Sequence, residues 1–325
     1  MPFRQALLAW YSRVKRDLPW RRTRDPYAIW ISEIMLQQTR VAAALPFYEC
    51  FMRRFPTVQT LADASEPEVL AQWAGLGYYS RARNLHKTAR AVVAAGGQFP
   101  ANLEALLALA GIGAYTAAAI ASIAYDLPHA AVDGNLLRVL ARLDNDPSDI
   151  ANPRTRSRFT ERAQALLDPK RPGEFNQAMM ELGATVCLPK SPRCEGCPVV
   201  SHCAAHAAGR QSELPVKLRR QAKVEIEIVA LLIVRNGRIL LTERAADAGQ
   251  MAGFWELPDT SALPRAAVGR EAGEFHHTIT HHHYRYRVHF AEHSGRIPKS
   301  MAWKNLAEID GVLLTTAAKK ALRWR

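Results

Sequence analysis

Residues 109–135 constrain the chain more than any other stretch. They read LAGIGAYTAAAIASIAYDLPHAAVDGN. Gly111 and Gly113 bracket Ile112, and such a pair permits a tight turn between two helical runs. From Ala114 to Ala124 the residues are mostly small and favour helix, so a neighbouring backbone can approach closely. The amides that open such a helix, at the positive end of its dipole, form an anion site suited to phosphate. A single acid, Asp133, follows, with Gly134 and Asn135 behind it. A solvated aspartate after a plain αα-hairpin is one reading, because a Gly-x-Gly pair alone is weak. The order of parts favours another. A phosphate-gripping turn, a short helix and then one carboxylate would set that acid beside a nucleic-acid backbone.

The charge suits such a partner. The net charge is +13 and the pI near 9.8, which calls for a polyanion, either nucleic acid or an anionic membrane surface. No run approaches the roughly 18 apolar residues of a membrane span. Met1–Pro19 contains Trp10 and Asp17 and lacks a small-residue cleavage site, unlike a signal peptide. The expectation is a monomer with no membrane partner, cytoplasmic, bacterial-type and nucleoid-associated. The length of 325 residues suggests two domains.

Apolar spacing predicts a helix over Phe3–Arg16, ended by Pro19. Trp20 is a core aromatic or a stacking surface for a base, with Arg21 then on a phosphate. Asp25-Pro26 starts a second helix, read as Tyr27–Leu45. Within it Trp30, Glu33, Gln37 and Arg40 fall on one helical stripe. Glu33 lies among Ile29, Trp30 and Leu36. A carboxyl among apolar groups keeps its proton, as a general acid must. Gln37 and Gln38 could fill a gap in a base stack or pair with a base edge. In the loop that begins at Gly75, Leu76 and Tyr78 could wedge between base pairs while Arg81 and Arg83 hold phosphates. Residues 144–157 read as a loop, Phe159–Leu167 and Phe175–Val186 as helices, and Cys50 as a buried thiol.

Cys187, Cys194, Cys197 and Cys203 follow as C-x6-C-x2-C-x5-C. Four thiols on so short a loop indicate a metal centre, and spacing alone admits zinc as well as iron–sulfur. Residues 206–222 then read as an exposed linker. From Lys223 the pattern becomes β: Val224–Ile228 alternates, Val229–Val234 is a buried strand, Asn236-Gly237 a hairpin turn, Ile239–Leu241 its return and Tyr284–Phe290 another strand. His276, His277, His282 and His283 would point to opposite faces of their strands, which argues against a shared metal.

The run WISEIMLQQTRV, the hairpin with its trailing acid and the cysteine spacing together resemble the MutY family of helix-hairpin-helix iron–sulfur DNA glycosylases. The resemblance covers nearly the whole chain. It implies a multidomain protein: an all-α helix-hairpin-helix glycosylase region over 1–205, the linker, and an α+β Nudix-like domain over 223–325. The implied activity is removal of adenine mispaired with 8-oxoguanine or guanine in double-stranded DNA. Glu33, Asp133, Tyr115 and Asn135 would be catalytic, and Tyr115 stands where relatives with lyase activity carry a Schiff-base lysine. DNA contacts would come from Trp20, Arg21, Leu36, Gln37, Gln38, Thr39, Leu76, Tyr78, Arg81, Gly111, Gly113 and Gln177. The four cysteines would hold a [4Fe–4S] cluster, with Lys190 and Arg193 toward DNA. Ile279-Thr280-His281 matches the family's Phe-Ser-His, giving Thr280 and His281 to 8-oxoguanine. The segment before Arg270-Glu271 lacks the glutamates of a Nudix hydrolase. The family has proline where Ala110 stands. The rival readings are an endonuclease III-like glycosylase/lyase for oxidised pyrimidines and a non-enzymatic iron–sulfur DNA-binding protein.

Overall fold

Side-chain caps and prolines cut the first two-thirds of the chain into short helices. The computed structural model describes residues 2–218, 223–245, 248, 251–279 and 281–325. The chain divides into two compact units, drawn chiefly from residues 1–219 and 220–325. The first contains α1 (Phe3–Val14), α2 (Pro26–Leu36), α3 (Val41–Arg54), α4 (Val58–Asp63), α5 (Glu66–Gln72) and α6 (Ser80–Ala94). It continues through α7 (Leu103–Leu107), α8 (Ala114–Tyr125), α9 (Gly134–Leu143), α10 (Pro153–Leu166), α11 (Pro172–Thr185) and α12 (Ala204–Ala207). Asp25, Thr57, Ser65, Asn102, Asp133 and Asn152 each accept a backbone N–H at a helix start, satisfying donors that have no intrahelical partner.

The alanine-rich α8 lies at the middle of this unit. Its residues Thr116–Ile123 are all buried, and both α2 and α11 pack on it. Small side chains set how close they come. A Cβ on Gly173, at the start of α11, would stand 2.5 Å from the Ser122 carbonyl oxygen. The predicted hairpin joins α7 to α8, with Gly111 at φ +75° and Gly113 as N-cap. At Gly111 a Cβ would stand 2.7 Å from Asn84 Cβ, so both conformation and space require glycine.

Four expectations need correction. The helix read over Tyr27–Leu45 breaks after Leu36 and resumes as α3, with Gln38 at φ +58° between them. Gln37, Gln38, Thr39 and Arg40 therefore form a loop and do not extend a helical stripe. Arg81 terminates α2 by donating to the carbonyls of Ile34, Met35 and Gln37 at 2.6–3.1 Å. The loop expected over 144–157 is shorter, because α10 starts at Pro153. Much of the expected linker belongs to the helical unit: Leu214 is buried, Arg142 Nε donates to its carbonyl, and Ile150 N donates to that of Val216. Cys50 is exposed on α3, its thiol 3.4 Å from Gln72 Oε1.

Among its described residues the second unit holds two sheets. Strand β1 (Val224–Leu232) pairs in parallel with β6 (His282–Glu292), which pairs antiparallel with β5 (Ala267–Ile279). The other sheet runs β2 (Val234–Arg235), β3 (Arg238–Glu243), β4 (Trp255–Glu256), with β7 (Met301–Asn305) also on β3. Asn236 and Gly237 both take positive φ, 48° and 71°, as a two-residue hairpin of right-handed twist demands. Helix α13 (Thr316–Ala321) closes the core with Leu232, Leu241, Phe275 and Val288. Before Arg270-Glu271 the chain is already in β5.

Candidate active site

Glu33 is the chemical oddity of α2. Every residue from Tyr27 to Met35 is buried, and Glu33 itself is 6% exposed. Loss of hydration raises its carboxyl from 4.5 to about 7, and the nearby Asp133 charge adds to the rise. A hydrogen bond from the Tyr115 hydroxyl and the charge of Arg21 pull the other way. Tyr115, on α8, is held well above the usual phenol range by burial and by Glu33, so its hydroxyl stays a donor. That hydroxyl also lies 3.7 Å from Met180 Sδ.

Asp133 has a different setting at the start of α9. Its Oδ1 accepts the Leu136 amide at 2.7 Å and its Oδ2 accepts Asn135 Nδ2 at 2.9 Å, an acceptor-only arrangement that suits a carboxylate. Asn135 is held in turn by Arg138 Nη2, 3.0 Å from its Oδ1. Buried Arg138 also donates to the carbonyls of Gly183 and Cys187, both at 2.9 Å.

Glu33, Tyr115, Asp133 and Asn135 open onto one cavity of about 890 Å³. It also receives Trp20, Arg21, Leu36, Gln37, Gln38, Thr39 and Gln177, so the sequence reading brought most of its lining together. Trp20 is buried edge-on against Tyr48, with ring centroids 5.0 Å apart. Gln177 Oε1 accepts the Tyr11 hydroxyl at 3.2 Å.

Other expected contacts are placed differently. Arg21, read as a phosphate contact, is salt-bridged at 2.6 Å to buried Glu181. Arg81, read likewise, is buried; besides capping α2 it donates to the carbonyls of Leu76 and Gly77, both at 3.2 Å. It organises two loops and is not displayed to a phosphate. Leu76 is itself buried, whereas Tyr78, at φ +49°, is exposed. Gly111 and Gly113 lie at the hairpin, outside the cavity lining. In the second unit the His281 and His282 rings are 4.1 Å apart, and Thr280 lies outside the described residues. The sequence reading missed Arg16, Met180 and Glu181. Gln177, Met180, Glu181 and Ala184 recur at helical spacing on α11, and that stripe was the available signal.

Among the described residues, no three of His, Cys, Asp and Glu converge on a point that one metal ion could fill. The four cysteines instead ring a small cavity, with Val139, Leu143, Leu182, Val186 and Val199 as apolar walls. Burial and mutual repulsion raise the thiols of Cys194, Cys197 and Cys203, the second to about 11. Arg142, itself buried, donates to Cys187 Sγ at 3.3 Å and to the Leu188 carbonyl at 2.7 Å. Four sulfur donors spaced around a cavity, with a guanidinium to offset thiolate charge, fit a group larger than a single ion.

Comparison with known proteins agrees with this arrangement. Residues 31–165 match the HhH-GPD superfamily of base excision DNA repair proteins, and residues 228–324 match the NUDIX domain family. An adenine DNA glycosylase of Rattus norvegicus is 36% identical over 99% of this chain and 77% of its own length. One from Homo sapiens is 36% identical over 99% of this chain and 73% of its own length. Among solved structures, a thermostable thymine-DNA glycosylase superposes with a TM-score of 0.58 at 30% identity, covering 63% of this chain and 95% of its own.

Proposed function

We propose, for a chain that belongs to the adenine DNA glycosylase family, that it excises adenine paired with 8-oxoguanine or guanine, using Glu33 as proton donor and Asp133 as cation stabiliser. The observation that carries this reading is one cavity holding two carboxyls in opposed environments. The first is buried and retains a proton near neutrality; the second accepts two N–H donors. Pairs of that kind divide acid and anion roles in glycosidic chemistry.

The reaction is hydrolysis of an N-glycosidic bond in DNA. Adenine enters after flipping from the duplex, at a cost of a few kcal/mol that contacts to the distorted DNA offset. The Glu33 carboxyl gives its proton to adenine N7, so the base departs neutral. As the bond breaks, the sugar gains positive charge, and the Asp133 carboxylate stabilises it at close range. Glu33, now ionised, takes a proton from the water that attacks the anomeric carbon. Tyr115 orients Glu33, and Asn135 orients Asp133. With tyrosine at 115, no amine stands there to form a Schiff base, so the product is an abasic site rather than a cut strand.

The four cysteines would hold a [4Fe–4S] cluster, which supplies no step of the hydrolysis and fixes the 187–203 loop with its Lys190 and Arg193. His281 and the adjoining hairpin would read the 8-oxoguanine strand. The decisive test is single-turnover excision on duplexes with adenine opposite 8-oxoguanine, guanine or thymine. Glu33→Gln should abolish base release while DNA affinity stays within a few-fold. Normal turnover by that variant would overturn the assignment.

A further inference from the structure

One charged cluster on the cavity wall has no place in the mechanism above. Glu181, on α11, is 1% exposed. Its Oε1 accepts Arg16 Nε at 2.7 Å, and its Oε2 accepts Arg16 Nη2 at 2.9 Å and Arg21 Nη2 at 2.6 Å. The partners come from 160 and 165 residues away in the chain. Both arginines line the cavity, and Arg21 acts on Glu33. Arg21 has only 11% of its side chain exposed and also lies over the Tyr11 ring, with its guanidinium carbon 5.5 Å from the centroid. With Nη1 also on the Arg16 carbonyl at 3.2 Å, this guanidinium is held on the cavity wall, and its charged anchor there is Glu181. Two guanidiniums and one carboxylate leave one net positive charge on the wall of the cavity that Glu33 also lines.

We propose that Glu181 is a positioning residue: it clamps Arg21 and Arg16 on the cavity wall and cancels part of their charge, so that Glu33 keeps the proton it donates. The inference rests on the assignment of Glu33 as the acid. The charged and titratable groups around Glu33 are Tyr115, Asp133 and Arg21; those around Glu181 are Arg16, Arg21 and Tyr11, with Glu174 beyond. Without Glu181's charge the wall carries two positive charges. Glu33 is then driven toward ionisation and fewer molecules hold the proton at neutral pH.

The test is the pH dependence of single-turnover adenine release by the full chain. The wild type should show a fall in rate centred near pH 7. Glu181→Gln keeps the size and one acceptor oxygen, and should move that inflection about one pH unit lower. The rate then falls about fivefold at pH 7 and recovers to within about twofold of wild type at pH 5.5. Arg16→Gln, which removes a positive charge instead, should move the inflection upward, and the double variant should bring it back. Loss of a merely structural contact would lower the rate alike at every pH and give no opposite shifts. An inflection that stays fixed in both single variants overturns the inference. Should Glu181→Gln fail to fold, the Arg16→Gln arm decides alone, an unmoved inflection refuting it. A wild type with no inflection at all overturns the Glu33 assignment first, and this inference with it.

Discussion

Glu33 should make the folded protein less stable at neutral pH than a chain with glutamine there. In the unfolded chain this carboxyl ionises around 4.5; in the folded protein it holds its proton to about 7. The sign follows from proton binding. Between those two values the folded state binds more protons at this site than the unfolded state, so raising the pH favours unfolding. Below 4.5 both states are protonated and the site is neutral in its effect. Above 7 the full penalty applies. A displacement from 4.5 to about 7 corresponds to about 3 kcal/mol, and with the side chain 6% exposed little of that is screened. Glutamine has the same shape, can still accept the Tyr115 hydroxyl, and has no charge to desolvate.

The expected outcome is a stabilised but inactive Glu33→Gln variant. Its melting temperature should exceed that of wild type by several degrees at pH 8, about 2–4 °C for each kcal/mol in a unit of this size. At pH 5 the margin should shrink to what remains of the penalty, under about 1 kcal/mol. Parallel thermal scans of both proteins at pH 5, 6, 7 and 8 give the comparison, with cluster content matched. Two results would refute the reasoning. One is a variant no more stable than wild type at pH 8, which would mean the carboxyl is not held in a desolvating site. The other is an equal margin at every pH, which would mean the gain has nothing to do with ionisation.

Asp133→Asn should fold, since asparagine caps a helix as well as aspartate does, yet lose about two to three orders of magnitude in the rate of adenine release. Single-turnover kinetics beside a melting curve separates the two. Gly173→Ala places a methyl group 2.5 Å from Ser122 O and 2.7 Å from Ile123 Cα, so α8 and α11 must part; a loss of about 2–3 kcal/mol by thermal melting is expected. Arg81→Ala removes a donor from five carbonyls, of which Gly77 keeps Trp73 Nε1 and Gln37 keeps the Thr39 hydroxyl; it should cost about 3 kcal/mol and raise hydrogen exchange at Leu76–Gly77 and at the end of α2. Anaerobically purified protein should carry about four irons and four sulfides per chain, and Cys197→Ser should lose both together.

The parts of the fold legible in the sequence are those with local punctuation. Gly111 needs φ +75° and an empty Cβ position, a demand glycine alone meets, so the hairpin could be read from composition. The four cysteines could be read from spacing, and Asn236-Gly237 from the turn its residues favour. The end of α2 could not. Between Leu36 and Val41 no glycine or proline breaks the helix, and Gln38 takes a left-handed conformation although nothing local asks for it. The cause lies 46 residues away, where Arg81 competes for the Met35 carbonyl. An arginine beside a glycine loop looks like a phosphate ligand until the fold turns it inward. The same holds for residues 210–218, whose composition says linker while buried Leu214 and the Arg142 hydrogen bond tie them to the helical unit.

The proposed division of labour between Glu33 and Asp133 follows from where secondary structure puts them. A side chain in mid-helix has no free backbone amide to hydrogen-bond, because each N–H there is committed to the carbonyl four residues back. Glu33, in the interior of a helix buried on all sides, therefore loses its hydration with no amide in return, and that loss, with the charge of Asp133, outweighs the Tyr115 hydroxyl and Arg21 in favour of the neutral form. Asp133 sits at an N-cap, where its carboxyl accepts the uncommitted Leu136 amide at the start of α9. The two carboxyls thus meet unlike surroundings because of where the helices place them, one in a buried helix interior and one at a helix start. The small side chains of α8 let α2 and α11 pack close on it, and both carboxyls line the one cavity. Under the proposed mechanism the two environments are not interchangeable: a charged group at 33 would have no proton to give a base, and a neutral one at 133 would have no charge to set against a cation.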